Sequence, residues 1–152
     1  MQRRSPRPLC PEMTRLSEEH RSGILAAHRL RLGLAGSDAR AEALTAFLRT
    51  WKEVLLPHLR REEEVLLPEL AQCVSEGDAL IVLTLSDHTV LRRLVRELRR
   101  CPHDARPVVA LRIGQRLREH VAFEERTLFP AVEQALGRKT LKALSRELAE
   151  EG

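Results

Sequence analysis

The chain has 152 residues, with 26 Lys and Arg against 22 Asp and Glu for a formal net charge of +4. That length suits one domain with its own core, and three Phe, one Trp and no Tyr among abundant Leu, Ala, Arg and Glu mark a helical protein. No apolar run reaches the roughly eighteen residues of a membrane helix, and no apolar block follows the charged start MQRRSPRPLCPEM, so neither a span nor a signal peptide is expected and the expected compartment is cytoplasmic.

In chain order, residues 1–13 are expected to form a flexible Pro- and Arg-rich tail and residues 14–152 a single helical domain. Thr14 or Ser17 can cap the first helix, with Glu18 and Glu19 in its first turn and Leu16, His20, Ile24 and Ala27 along its inner stripe. The stretch from Leu34 to Asp38 ends it and offers a cap for the next. A long second helix runs from about Ala39 to Cys73, with Leu44, Phe47, Leu48, Trp51 and Leu55 leading to His58. Pro57 predicts a bend just before His58, and Pro68 a second bend or a stop.

Ser75-Glu-Gly-Asp78 reads as a turn with an N-cap. It opens a third helix, Ala79 to about Arg100, with the stripe Ile81, Thr84, Leu85, His88, Leu91, Val95 and Leu98. After a connection ending at Pro107, a fourth helix carries Val109, Ile113, Leu117, His120, Glu124 and Leu128 and stops near Gly137. Leu141, Leu144 and Leu148 then mark a short last helix that packs across the bundle or extends it. The fold class is therefore all-α, an up-down-up-down four-helix bundle with a short extra C-terminal helix.

Two segments of this chain repeat one another. His58-Leu-Arg-Arg-Glu62-Glu-Glu-Val-Leu-Leu-Pro68 and His120-Val-Ala-Phe-Glu124-Glu-Arg-Thr-Leu-Phe-Pro130 agree in the His, the Glu four residues on, the second Glu, and the Leu, large apolar and Pro places that follow. Residues four apart share a helix face, so each copy projects an imidazole and a carboxylate together. At ~1.5 Å per residue, His120 lies ~21 Å past Arg106 and His88 ~18 Å before Arg100, hence at similar depth. His20 lies ~24 Å before Gly36 and His28 only ~12 Å, against ~30 Å from Asp38 to His58, so His20 is the better partner. His28 then belongs to the surface or a second layer, and His103 to an exposed connection.

The constellation His20, His58, Glu62, His88, His120 and Glu124 is polar at the centre of a bundle, which is unfavourable unless the groups are paired or bind metal. Four imidazoles and two carboxylates suit two first-row metal ions, each with two imidazoles and bridged by both carboxylates. Iron is the natural candidate, as a diiron centre of two iron ions with an oxo or hydroxo bridge and room for oxygen, nitric oxide or peroxide. Without metal, Glu62 and Glu124 are expected to face each other and repel, raising a carboxylate pKa. Elsewhere the chain offers less chemistry. Cys10, Cys73 and Cys101 form no CxxC pair, and the Arg-rich run from Arg92 to Arg100 lacks aromatics to stack bases, so it reads as a solvated helix face rather than a nucleic-acid surface.

These motifs resemble the hemerythrin-like, or HHE cation-binding, family over residues about 14 to 137. Ser17-Glu-Glu-His20-Arg-Ser-Gly-Ile24 is similar to the family's first histidine segment, His58-x-x-x-Glu62-Glu63 with its LLP to the second, Asp87-His88-x-x-Leu91 to the third, and His120-x-x-x-Glu124-Glu125 with LFP to the fourth. Oxygen-carrying members place two histidines four apart on the third helix, whereas His88 here has Thr84 before it and Arg92 after it. That departure speaks against reversible oxygen carriage and matches the four-His, two-Glu members, including iron-sensing ones. Family usage points to Glu125 where helical spacing points to Glu124, with Glu125 or Glu63 able to act as an outer base. The resemblance implies a protein that binds or senses oxygen, nitric oxide or iron. The alternatives are a diiron enzyme acting on peroxide, oxygen or nitric oxide, or a metal-free partner-binding module using its Arg faces.

Overall fold

A computed structural model describes residues 11–36, 40–75 and 78–150. The expected tail as far as residue 10, the cap at Asp38, the turn residues Glu76 and Gly77, and the side chain of Leu148 lie outside what it describes. Helix α1 spans Pro11–Ala35. It starts ahead of the expected Thr14 or Ser17 cap, because Pro tolerates the first helical position and Met13, only 1% exposed, has a core to enter.

Helix α2 covers residues 40–71, and it is not uniform. Regular turns Arg40–Thr50, Leu56–Arg61 and Leu67–Ala71 alternate with π-helical turns Trp51–Leu55 and Glu62–Leu66. Helix α3 is Ala79–Arg100, capped as expected by Asp78, whose carboxylate accepts the Leu80 N–H at 2.9 Å. Helix α4 begins with Arg106–Phe123, passes through a third π turn, Glu124–Leu128, and continues from Phe129 to Gly137, where φ 66° and ψ 166° break the helical path. Only glycine adopts that conformation readily, which is why the fourth helix stops where expected. Helix α5, residues 138–150, follows.

Each π turn stands just ahead of a proline. Pro57, Pro68 and Pro130 lie two residues beyond the ends of Trp51–Leu55, Glu62–Leu66 and Glu124–Leu128. In each case the N–H before the proline reaches back five residues, from Leu56 to Trp51, Leu67 to Glu62 and Phe129 to Glu124. The widened turn admits a ring that has no N–H to donate and would strike the carbonyl of a regular turn. The disturbance expected at Pro57 and Pro68 therefore takes this form, and α2 continues through both.

The four long helices make an up-down-up-down bundle, with α1 against α2 and α4, and α3 against α4. Its interior is divided. One apolar core holds Leu30, Phe47, Trp51, Leu59, Leu98 and Ile113 among others. A second holds Met13, Leu16, Leu66, Leu70, Leu128 and Val132, and there Leu141 and Leu144 of α5 also pack, so the last helix closes the bundle at that end. Between the two cores in every helix come the buried polar residues, among them His20, His58, Glu62, Thr84, His88, His120 and Glu124. One stripe assignment fails: Leu85 is 41% exposed, while Leu94, one turn beyond Val90, is buried at 3%. No helix among the described residues is long and apolar enough to cross a membrane.

Helices α1 and α2 pack tightly beside the polar layer at Gly23, where an added Cβ would run into the buried side chain of Leu55. Gly23→Val should therefore overpack this contact and lower stability by about 1–3 kcal/mol, measured as a fall in the urea midpoint with the slope unchanged.

Candidate metal centre

One histidine from each long helix reaches the same level, His20 from α1, His58 from α2, His88 from α3 and His120 from α4, each no more than 1% exposed. Glu62 and Glu124, at 0% exposure, occupy the first places of their π turns, four residues after His58 and His120. The structure thus brings together all six residues singled out from the sequence. His28 and His103 are exposed and stand apart, as the axial arithmetic implied.

Each carboxylate lies between two histidines, one from each pair. Glu62 sets Oε1 3.3 Å from Nε2 of His58 and Oε2 3.2 Å from Nε2 of His88. Glu124 sets Oε2 2.9 Å from Nε2 of His20 and Oε1 3.1 Å from Nε2 of His120. Two overlapping groups result, His20, His58, Glu62 and Glu124, and His88, His120, Glu62 and Glu124, with the ligand atoms of each within 4.8 Å of one another.

None of the inward atoms, the four Nε2 and both oxygens of Glu62 and Glu124, has a hydrogen-bond partner. Buried polar atoms are normally paired, and leaving several unpaired in one place is strongly unfavourable. A cation within each group would satisfy them, and imidazole nitrogen with carboxylate oxygen is a donor set suited to first-row metals. The residues present therefore fit a pair of metal ions.

The outer ring nitrogens are placed as definitely. Nδ1 of His58 lies 2.8 Å from Glu19, Nδ1 of His88 2.7 Å from Glu63, and Nδ1 of His20 3.2 Å from Glu125. Asp87 stands 3.5 Å from Nδ1 of His120, within ion-pair range but short of a hydrogen bond. The sequence offers Glu63 and Glu125 as outer bases, and in the structure both stand outside the inner cluster while Glu124 faces the interior. Glu19 and Asp87 were missed. Their signal was adjacency, since each immediately precedes a buried histidine.

Cations and a hydroxyl hold these acids from behind. The buried Arg61 reaches both oxygens of Glu19 at 2.6 Å, Arg92 grips Glu63 at 2.6 and 2.9 Å, Arg116 donates to Asp87 at 3.0 Å, and the Ser17 hydroxyl donates to Glu125 at 2.6 Å. Arg92 is thus no member of a solvated face, although Arg93, Arg96, Arg99 and Arg100 are exposed. A crevice of about 510 Å³ between α1 and α2 is walled by Glu19 and Arg61 on its side toward His58.

The model of the hemerythrin HHE cation-binding domain matches residues 12–132. Neither the curated proteins nor the solved structures contain a match.

The electrostatics of the protein groups alone run opposite to the repulsion expected between Glu62 and Glu124. Burial raises the Glu62 pKa, but His58 and His88 beside it outweigh that and hold it well below the usual carboxylate range. Burial likewise disfavours charge on the imidazoles, yet Glu62 and Glu19 lift His58 to about 10, and Glu124 and Glu62 lift His88 to about 9. A histidine with a raised pKa stabilises the metal-free fold fully below its ordinary value of 6.5, progressively less above it, and not at all once pH has passed the folded value. Lowered carboxylates such as Glu19 and Glu63 act in the other direction, stabilising above 4.5 and losing that contribution in acid. The metal-free chain should accordingly melt highest near pH 5 to 6.5 and at falling temperatures toward pH 10, whereas bound metal, which requires neutral imidazoles, should widen its advantage as pH rises. Calorimetric scans of metal-free and loaded protein across that range check both directions.

Proposed function

Because the chain belongs to the hemerythrin HHE cation-binding domain family, we propose that it is a non-haem diiron protein that binds or senses oxygen, nitric oxide or iron. The observation that supports this reading is the cluster of unpartnered inward atoms contributed by His20, His58, Glu62, His88, His120 and Glu124. In the proposed site His20 and His58 would hold one ion and His88 and His120 the other, with Glu62 and Glu124 serving both groups. Two such ions would supply redox electrons and open coordination positions for a small diatomic ligand or peroxide.

The chain's own residues would keep the ligands aligned and water out. The two apolar cores close the layer on both sides, and Phe129 stacks on His20 with ring centroids 5.5 Å apart and planes 3° from parallel. The two ligand sets are alike in composition, two imidazoles and two carboxylates each, and no fifth histidine joins either among the described residues. That symmetry favours binding or sensing over the carrier arrangement with one saturated ion.

Protein purified from iron-replete cells should contain two iron atoms per chain. Anaerobic reconstitution with ferrous iron followed by air should produce an absorption spectrum characteristic of an oxidised diiron centre. Stoichiometric zinc alone, or no metal after gentle purification, would overturn the proposal, and steady turnover of peroxide or nitric oxide would move it to the enzymatic alternative. His58→Ala and His120→Ala should each lose metal, while His28→Ala and His103→Ala should retain it in full by elemental analysis.

A further inference from the structure

Around the inner cluster runs a closed circuit of acids. Glu19 of α1 faces His58 of α2, Glu63 of α2 faces His88 of α3, Asp87 of α3 faces His120 of α4, and Glu125 of α4 faces His20 of α1. Each of the four long helices thus supplies the acid for the histidine of the next, and α4 returns to α1. The four acids hold equivalent places in the chain, Glu19 and Asp87 just before His20 and His88, Glu63 and Glu125 just after Glu62 and Glu124. None joins the inner groups.

An ionised carboxylate can only accept a hydrogen bond, so the Nδ1 of His20, His58 and His88 must carry the proton, and the charge of Asp87 beside the Nδ1 of His120 favours the same tautomer there. A neutral imidazole has one proton, which leaves the lone pair on Nε2, directed inward. Were the acids merely surface partners of arginines, they would not each have to meet an imidazole as well. Exposed ion pairs of that kind contribute little and fix no geometry.

We infer that Glu19, Glu63, Asp87 and Glu125 are positioning residues for metal capture and that they work in two pairs, Glu19 with Glu125 for the His20–His58 position and Glu63 with Asp87 for the His88–His120 position. This rests on the metal-binding reading given above. Contact distance ranks them: Glu63 and Glu19 at 2.7 and 2.8 Å hold their histidines hardest, Glu125 at 3.2 Å less, and Asp87 at 3.5 Å least.

The test uses the whole chain and zinc, which is diamagnetic and lets the imidazole nitrogens be followed by NMR while chelator competition gives the two dissociation constants. Glu19→Gln should weaken the His20–His58 position by about 10–100-fold, the usual range for loss of such an outer partner, and the other position by less than about threefold. Glu63→Gln should do the reverse, and Asp87→Asn should act like Glu63→Gln but more weakly. The Nδ1 signal of the facing histidine should shift in each variant and the remaining ring signals should not. If Glu19→Gln does not fold, Glu125→Gln, which lies at a more exposed place, tests the same pair. Equal weakening of both positions, or an unmoved Nδ1 signal, would overturn the inference while leaving the metal site intact. A wild-type chain that takes up no zinc and no ferrous iron would overturn both.

Discussion

The constraint on which this structure depends is the burial of six ionisable side chains at one level of a helical bundle. His20, His58, Glu62, His88, His120 and Glu124 are all at or below 1% exposure, and their inward atoms have no hydrogen-bond partner. A purely apolar bundle needs only a stripe on each helix. This one must also bring four helices to the same height and rotation, because a shift of one turn, about 5.4 Å, would set a histidine against leucine. The apolar cores on either side, joined through the same helices, supply the packing that holds this registration against the penalty of the polar layer.

The π turns belong to the same problem. Glu62 and Glu124 each open one, and a turn with an extra residue moves everything after it around the helix axis. Leu66 and Leu70 follow Glu62 at strict four-residue steps, as Leu128 and Val132 follow Glu124, and all four are buried at 0%. In a uniform α-helix each such step would drift by ~40°, carrying the stripe off the core within a few turns. Widening the turn absorbs the drift, so that carboxylate and apolar residues keep one face, and the proline that follows finds room.

Much of this was legible in the chain. The repeated His-x-x-x-Glu and the height of each histidine led to the six residues, because i,i+4 spacing and rise per residue are properties of any helix. Gly137 and Asp78 were readable as stop and cap for equally local reasons. What was not legible depends on relations between helices. Glu19 and Asp87 look like ordinary solvated acids until a neighbouring helix presents His58 and His120 to them, and Arg92 looks like surface charge until Glu63 is opposite. Leu85 fits a helical stripe by spacing alone, but the rotation of α3 that buries His88 and Leu91 turns it outward. The charge state of the layer was also misjudged. Counting only the two glutamates gives repulsion, and counting the imidazoles that each of them touches gives attraction.

The apolar cores above and below the polar layer have a kinetic meaning as well as a structural one. With every inner atom shielded from water, exchange between that layer and solvent must wait for the helices to part, through a local opening of the kind that takes microseconds to seconds. The crevice against Glu19 and Arg61 brings solvent to within one ion pair of His58, so the α1–α2 seam is one route by which water approaches the layer. Residence time in such a layer is then set by how often its seams breathe, and it can be long even where equilibrium affinity is modest.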